Sequence, residues 1–194
     1  MRLFVALDID EAIRERMARF IEGVRGFAPG ARWVRAESLH ITLKFIGEQP
    51  ENKLAALQSA LAAVRSPAFE LAFRSSGFFP APKSARVFWI GIQGGETLAR
   101  LALEVDHALE TVGVTREAHA YTPHLTLARG AAGSGAPRHR SDDRQNEQFA
   151  RLQQKLASLT TEFGTMSARE FFLYQSQLSP KGSRYTKIAR FGLS

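Results

Sequence analysis

Two stretches decide how this chain is read: Ser38-Leu39-His40-Ile41-Thr42-Leu43-Lys44-Phe45 and Thr122-Pro123-His124-Leu125-Thr126-Leu127-Ala128-Arg129. Each carries His-x-Thr-Leu inside an apolar run that alternates as a strand does. Side chains on a strand alternate between faces with period 2. His40 and Thr42 therefore share one face, and Ile41, Leu43 and Phe45 are expected on the other. His124 and Thr126 share a face in the same way, against Leu125 and Leu127. The pattern predicts one site built from two imidazoles and two hydroxyls.

The rest of the chain supplies a frame for these strands. Its 194 residues suit one domain or two small lobes, and 44% hydrophobic residues are enough for a real core. There is no cysteine, which removes disulfides and thiolate metal sites and suits a reducing cytoplasm. The segment Met1–Asp8 is too short for a signal sequence, and no apolar run approaches the ~18 residues of a membrane span. The formal net charge of +7 favours a polyanionic partner such as nucleic acid.

Read in order, Arg2–Asp8 is a buried strand, and Asp10 can cap a helix over Glu11–Arg25. A short strand near Arg32–Val34 precedes the first His-x-Thr strand. Further helices are expected over Glu51–Val64, Glu96–Val112 and Asn146–Leu159. Strands are expected over Phe69–Arg74, Arg86–Ile92, Thr165–Leu178 and Arg184–Phe191. Residues 130–144 read as a flexible basic loop, Gly-rich and carrying Arg138, His139 and Arg140.

The order of elements recurs. His40 and His124 are 84 residues apart, and Arg2-Leu3-Phe4-Val5 matches Arg86-Val87-Phe88-Trp89 at the same shift. Leu57-Gln58 matches Leu152-Gln153 at a shift of 95. The fold class expected is α+β: a single bilobal domain over residues 1–194 with an internal duplication. Each lobe is an antiparallel sheet with helices on its outer side, and the two flank a central cleft.

An imidazole titrates near pH ~6.5, so one histidine can accept a proton while another donates one. Placed on opposite sides of a phosphorus atom, the pair permits in-line displacement. The hydroxyls of Thr42 and Thr126 would hydrogen-bond the non-bridging oxygens and stabilise the charge developing there. This chemistry needs no metal or other cofactor, and the usual metal-binding patterns are absent from the sequence. The residues alone do not say which histidine is acid and which is base. Lys44 falls on the His40 face by alternation and is a candidate for contacting phosphate, beside the alternative of a solvated strand-end lysine. Arg129 falls on the face opposite His124 unless a bulge near Ala128 turns it over.

The chain resembles the two-histidine phosphoesterases, in the branch of RNA 2′,3′-cyclic phosphodiesterases, also called 2′-5′ RNA ligases. The resemblance is carried by Arg2–Leu7, Trp33-Val34-Arg35, His40–Gly47, Pro123–Arg129 and the tail from Leu173-Tyr174-Gln175-Ser176 to Tyr185. It implies a bilobal fold and metal-independent opening of an RNA 2′,3′-cyclic phosphate to a 2′-phosphate, a reaction that can run backwards as 2′-5′ ligation. It implies His40 as proton donor, His124 as acceptor and Arg129 as a phosphate contact. The partner implied is RNA with a cyclic phosphate end, tRNA fragments included, and the protein is expected to be a cytoplasmic monomer. Two other functions fit the sequence: a cyclic phosphodiesterase of small nucleotides, and a non-catalytic RNA-end-binding protein. His107, His119 and His139 read as structural or loop residues. Trp33, Phe45, Phe78, Phe79 and Trp89 read mostly as core. Phe78, Phe79, Tyr121 and Tyr174 are candidates for stacking a base.

Overall fold

The computed structural model describes residues 1–130, 147–179 and 182–194. The expected basic loop at 130–144 lies, beyond Gly130, outside the described residues, as do His139 and its flanking arginines.

The chain opens with strand β1 (Arg2–Asp8) and helix α1 (Glu11–Val24). The Asp10 carboxylate accepts a hydrogen bond from the Ile13 amide at 2.8 Å and so caps α1. That helix buries Ile13, Met17, Ile21 and Val24, one stripe at helical spacing. Next come β2 (Arg32–Trp33), β3 (His40–Glu48), α2 (Leu54–Ala62), β4 (Phe69–Phe79) and β5 (Val87–Gln93). They are followed by α3 (Gly95–Glu110), β6 (His124–Arg129) and α4 (Ala150–Leu156). The chain closes with β7 (Glu162–Ala168), β8 (Glu170–Ser179) and β9 (Gly182–Gly192). The sequence expectation of one strand over Thr165–Leu178 is corrected: two strands meet at Arg169, and β7 returns to pair with β4.

The sheet is antiparallel, in the order β7-β4-β5-β6-β3-β1-β8-β9, with β2 added to β6. The order reads as two four-stranded halves placed back to back. β6, β5, β4 and β7 form one half; β3, β1, β8 and β9 form the other. The two His-x-Thr strands, β3 and β6, meet at the centre through the single register pair Ile41↔Leu125. The halves are interleaved along the chain, because β8 and β9 return to complete the half begun by β1 and β3. The main core lies between one face of the sheet and the helices and contains Leu3, Val5, Leu7, Ile41 and Leu125. A small second cluster of Phe4, Ala6, Phe172 and Tyr174 lies on the other face of the sheet.

Register refines the internal match. Val5 pairs with Lys44, and Phe88 pairs with Ala128, 84 residues beyond Lys44. Position 5 therefore corresponds to 88, a shift of 83 rather than the 84 read from sequence for these strands. Phe4 pairs with Tyr174 and its counterpart Val87 pairs with Phe79, so β4 and β8 correspond at a shift of 95.

Candidate active site

His40, Thr42, His124 and Thr126 line one cleft of about 550 Å³ between the halves of the sheet. Their neighbours Ile41 and Leu125 are fully buried on the other face, which fixes the direction of the polar side chains. The two imidazoles are held alike. His40 Nδ1 lies 2.8 Å from the Ser38 carbonyl, and His124 Nδ1 lies 2.8 Å from the Thr122 carbonyl. A carbonyl only accepts, so each Nδ1 donates and each Nε2 is left as the proton-exchanging atom.

Aromatic rings confine both histidines. The Phe4 ring lies 4.8 Å from the His40 ring, and Tyr185 meets it edge-on at 5.0 Å. Phe79 meets His124 edge-on at 5.0 Å. Burial pushes His40 down from the ordinary imidazole value to about 4. Its bond to the Ser38 carbonyl and the Asp8 carboxylate act against this, while Arg129 and His124 add to it. Burial also lowers His124, partly offset by the Thr122 carbonyl and reinforced by Arg129.

Both central strands break alternation at the same place. Between Val5 and Ala6 the partner on β3 jumps from Lys44 to Thr42. Between Phe88 and Trp89 the partner on β6 jumps from Ala128 to Thr126. Each bulge turns the following residue over. Arg129 consequently lines the cleft with His124. Phe45, expected in the core, instead lines the cleft and is 59% exposed.

The same bulge removes Lys44 from the site, which corrects its assignment as a phosphate contact. Lys44 is 4% exposed; its Nζ lies 2.6 Å from Asp106 on α3 and donates to the Thr115 carbonyl at 2.8 Å. Neither the cleft position nor the solvated position applies. Burial alone would raise the Asp106 carboxyl, but hydrogen bonds from Lys44 and the Glu117 amide hold it below the usual carboxylate range.

Two arginines stand at the His124 end of the cleft. Arg32 and Arg129 both line it and stand directly opposite each other in the β2–β6 register. Like charges opposed across strands are destabilising. Neither guanidinium has an ion-pair partner among the described residues, so the arrangement suits a bound anion. Arg2 is also in the lining, although the sequence reads it only as part of a buried strand. Its parity with Phe4 and Ala6 on β1 is the signal that places it on the cleft face.

This geometry has counterparts among known proteins. A family model described as LigT like Phosphoesterase matches residues 7–89 and again 90–185. The chain belongs to that family. It is 38% identical over 191 residues to a protein of Archaeoglobus fulgidus named RNA 2′,3′-cyclic phosphodiesterase, covering 98% of this chain and 99% of the relative. It resembles the crystal structure of a Thermus thermophilus protein with a TM-score of 0.79 and 29% identity, covering 100% of this chain and 98% of the other. It also resembles E. coli LigT crystallised with 3′-AMP, with a TM-score of 0.77 and 27% identity, covering 100% and 98% of the two chains.

Of the four stacking candidates, none lines the main cleft. Phe78 packs on Phe88 and Phe149, and Phe79 packs on Trp89 and His124. The Tyr121 hydroxyl donates to the Thr42 carbonyl at 3.0 Å, and Tyr174 is buried against Phe4. His107 Nε2 accepts from Arg116 at 2.8 Å, away from the site, and His119 is exposed in a loop. Among the described residues no group of three or more His, Cys, Asp or Glu is placed to hold a metal, and no helix is long and apolar enough to cross a membrane.

Proposed function

We propose that this protein hydrolyses RNA 2′,3′-cyclic phosphate ends to 2′-phosphomonoesters by metal-independent acid–base catalysis. The carrying observation is the pair of imidazoles held alike by Ser38 and Thr122, with both Nε2 atoms available to one cleft that also holds Arg32 and Arg129. Family membership and the name of the Archaeoglobus relative support the same substrate.

In this reading the cyclic phosphate sits between the imidazoles. His124 Nε2 takes a proton from water as the water oxygen bonds to phosphorus. The P–O3′ bond breaks, and His40 Nε2 gives its proton to O3′. A 3′-hydroxyl and a 2′-phosphate result. The roles of His40 and His124 follow the family resemblance. Thr42, Thr126 and Arg129 hold the non-bridging oxygens and stabilise their growing charge. Both histidines are lowered in the free protein, and the bound anion favours the imidazolium that the acid must supply. With a 5′-hydroxyl in place of water as the nucleophile, the same displacement, P–O3′ breaking as the 5′-oxygen bonds to phosphorus, gives a 2′-5′ linkage at the same site. The protein is read as one bilobal domain arisen by duplication, acting as a cytoplasmic monomer on RNA ends such as those of tRNA fragments.

The deciding experiment is incubation of a 2′,3′-cyclic-ended oligoribonucleotide with protein exhaustively treated with EDTA. The expected product is the 2′-phosphate. Activity lost on chelation and restored by Zn²⁺ or Mn²⁺ would refute the metal-free mechanism, and binding without turnover would favour a non-catalytic end-binding protein.

A further inference from the structure

A second cavity of about 410 Å³ adjoins the main cleft. His40, Ser38 and Tyr185 line both, so the imidazole stands in the wall between them. Strand β9 brings Arg184, Thr186 and Lys187 to this cavity, where they face Asp8 and Glu37. The charges there are unequal in freedom. Asp8 is compensated twice, by Arg14 Nη2 at 2.6 Å and Lys187 Nζ at 2.5 Å. Lys187 is thereby committed, and it also lies over the Phe172 ring. Arg184 is exposed and has no ion-pair partner among the described residues. Glu37 is likewise exposed, so its charge is screened by solvent.

The reaction geometry gives this cavity a direction. In-line displacement places the leaving oxygen opposite the attacking water. With His40 on the leaving O3′, the terminal ribose lies on the His40 side of the cleft. Its C5′ and the next phosphate then leave past the wall that His40, Ser38 and Tyr185 form. The main cleft is within the size range of small-ligand sites and suits the terminal nucleotide alone.

We propose that the second cavity binds the phosphate and nucleoside immediately 5′ of the cyclic end, with Arg184 contacting that phosphate. The proposal deepens the phosphodiesterase reading and rests on it. It makes the protein a reader of RNA ends, because a free cyclic mononucleotide leaves the second cavity empty.

The test compares kcat/KM for a cyclic-ended dinucleotide with that for the cyclic mononucleotide. The wild-type ratio is expected to exceed about ten, and Arg184→Ala is expected to lower it about tenfold, the loss of one charge-assisted contact. Arg19→Ala on the far surface of α1 removes the same charge and should leave the ratio unchanged. A dinucleotide whose internal phosphate is a neutral methylphosphonate keeps the test independent of protein folding and should lose the same advantage. A ratio near one, or a ratio unmoved by both Arg184→Ala and the methylphosphonate, overturns the second site while leaving the phosphodiesterase reading intact. Absence of turnover on either substrate overturns that reading, and this proposal with it.

Discussion

The two halves of the sheet share a frame and differ in charge. Each central strand presents a histidine, a threonine two residues on, and a bulge that exposes the residue five positions after the histidine. In the His40 half that residue is Phe45, whereas in the His124 half it is Arg129. The residue facing the histidine across the strand pair is Asp8 in one half and Gly91 in the other. A side chain at 91 has no room, since a Cβ there would lie 2.5 Å from Ser75 Oγ and 2.7 Å from the Arg74 carbonyl. The residue before the exposed position is Lys44 in one half and Ala128 in the other, and both are buried. The frame thus places two equivalent imidazoles, and the substitutions around it make them inequivalent. At the exposed position one half carries an aromatic ring, with a carboxylate facing its histidine, and the other carries a cation.

The largest effect should come from breaking the shared part. His40→Ala and His124→Ala are each expected to lower kcat/KM by about 10²–10⁴-fold, the usual contribution of a general acid or base. His107→Ala, outside the cleft, should keep wild-type turnover. Near-full activity in either motif variant would mean that the symmetry is structural only.

The shared part is also what is legible in the sequence. Two His-x-Thr-Leu segments at a fixed spacing locate four cleft residues, because alternation holds from His40 to Leu43 and from His124 to Leu127. Alternation fails beyond them, since a bulge carries no signature in one strand alone: it is a mismatch between two strands. Strict alternation therefore puts Phe45 in the core and Lys44 in the site, the reverse of what the folded strand does. It puts Arg129 on the wrong face unless a bulge intervenes, and one does. The correspondence of the repeats contains the missing signal, because Phe45 and Arg129 are 84 residues apart and must face the same way. The pairing of β8 with β1 is hidden for another reason: contacts between distant strands depend on tertiary packing rather than local pattern.

Lys44 gives the next effect, on stability. Lys44→Met leaves Asp106 buried with the Glu117 amide at 3.1 Å and, as its remaining cation, the more distant Arg116, whose Nε lies 3.5 Å away. Losing one partner of a buried ion pair typically costs about 3–5 kcal/mol, and Arg116 places the expectation at the lower end. The Asp106 carboxyl is lowered on folding, so its contribution is present above the unfolded value near ~3.9 and is lost as pH falls through the folded value. The deficit of the variant, measured by urea denaturation, should therefore shrink below about pH 4. A loss of activity with unchanged stability would return Lys44 to the site.

Arg129 sharpens the difference between the halves, with an expected loss of about tenfold or more in kcat/KM for Arg129→Gln, the cost of one charge-assisted contact to phosphate. The pH profile separates this from a packing effect. kcat/KM rises as the base loses its proton and falls as the acid loses its own. Both imidazoles are lowered in the free protein, so both limbs should lie below the ordinary imidazole value, and they belong to the coupled pair. Arg129 lowers both groups, so removing its charge should move both limbs to higher pH. Limbs that stay in place would mean that Arg129 does not act on the imidazoles.

The smallest effect concerns salt, and it tests whether the arginine pair at the His124 end holds the reacting phosphate. Affinity for a single strand should fall with log[salt] at a slope of about −0.7 per phosphate neutralised. A cyclic mononucleotide offers one phosphate and a cyclic-ended oligonucleotide offers several, so the oligonucleotide slope should be steeper. Arg32 faces Arg129 at the His124 end, beside the reacting phosphate in this reading. Arg32→Gln should then flatten the slopes for both substrates by a similar amount, up to about 0.7. If Arg32 instead serves only the upstream chain, its removal flattens the oligonucleotide slope and leaves the mononucleotide slope alone. Slopes equal for the two wild-type substrates would reject an extended RNA path and leave a small-nucleotide phosphodiesterase, with the charge at the His124 end serving the cyclic phosphate alone.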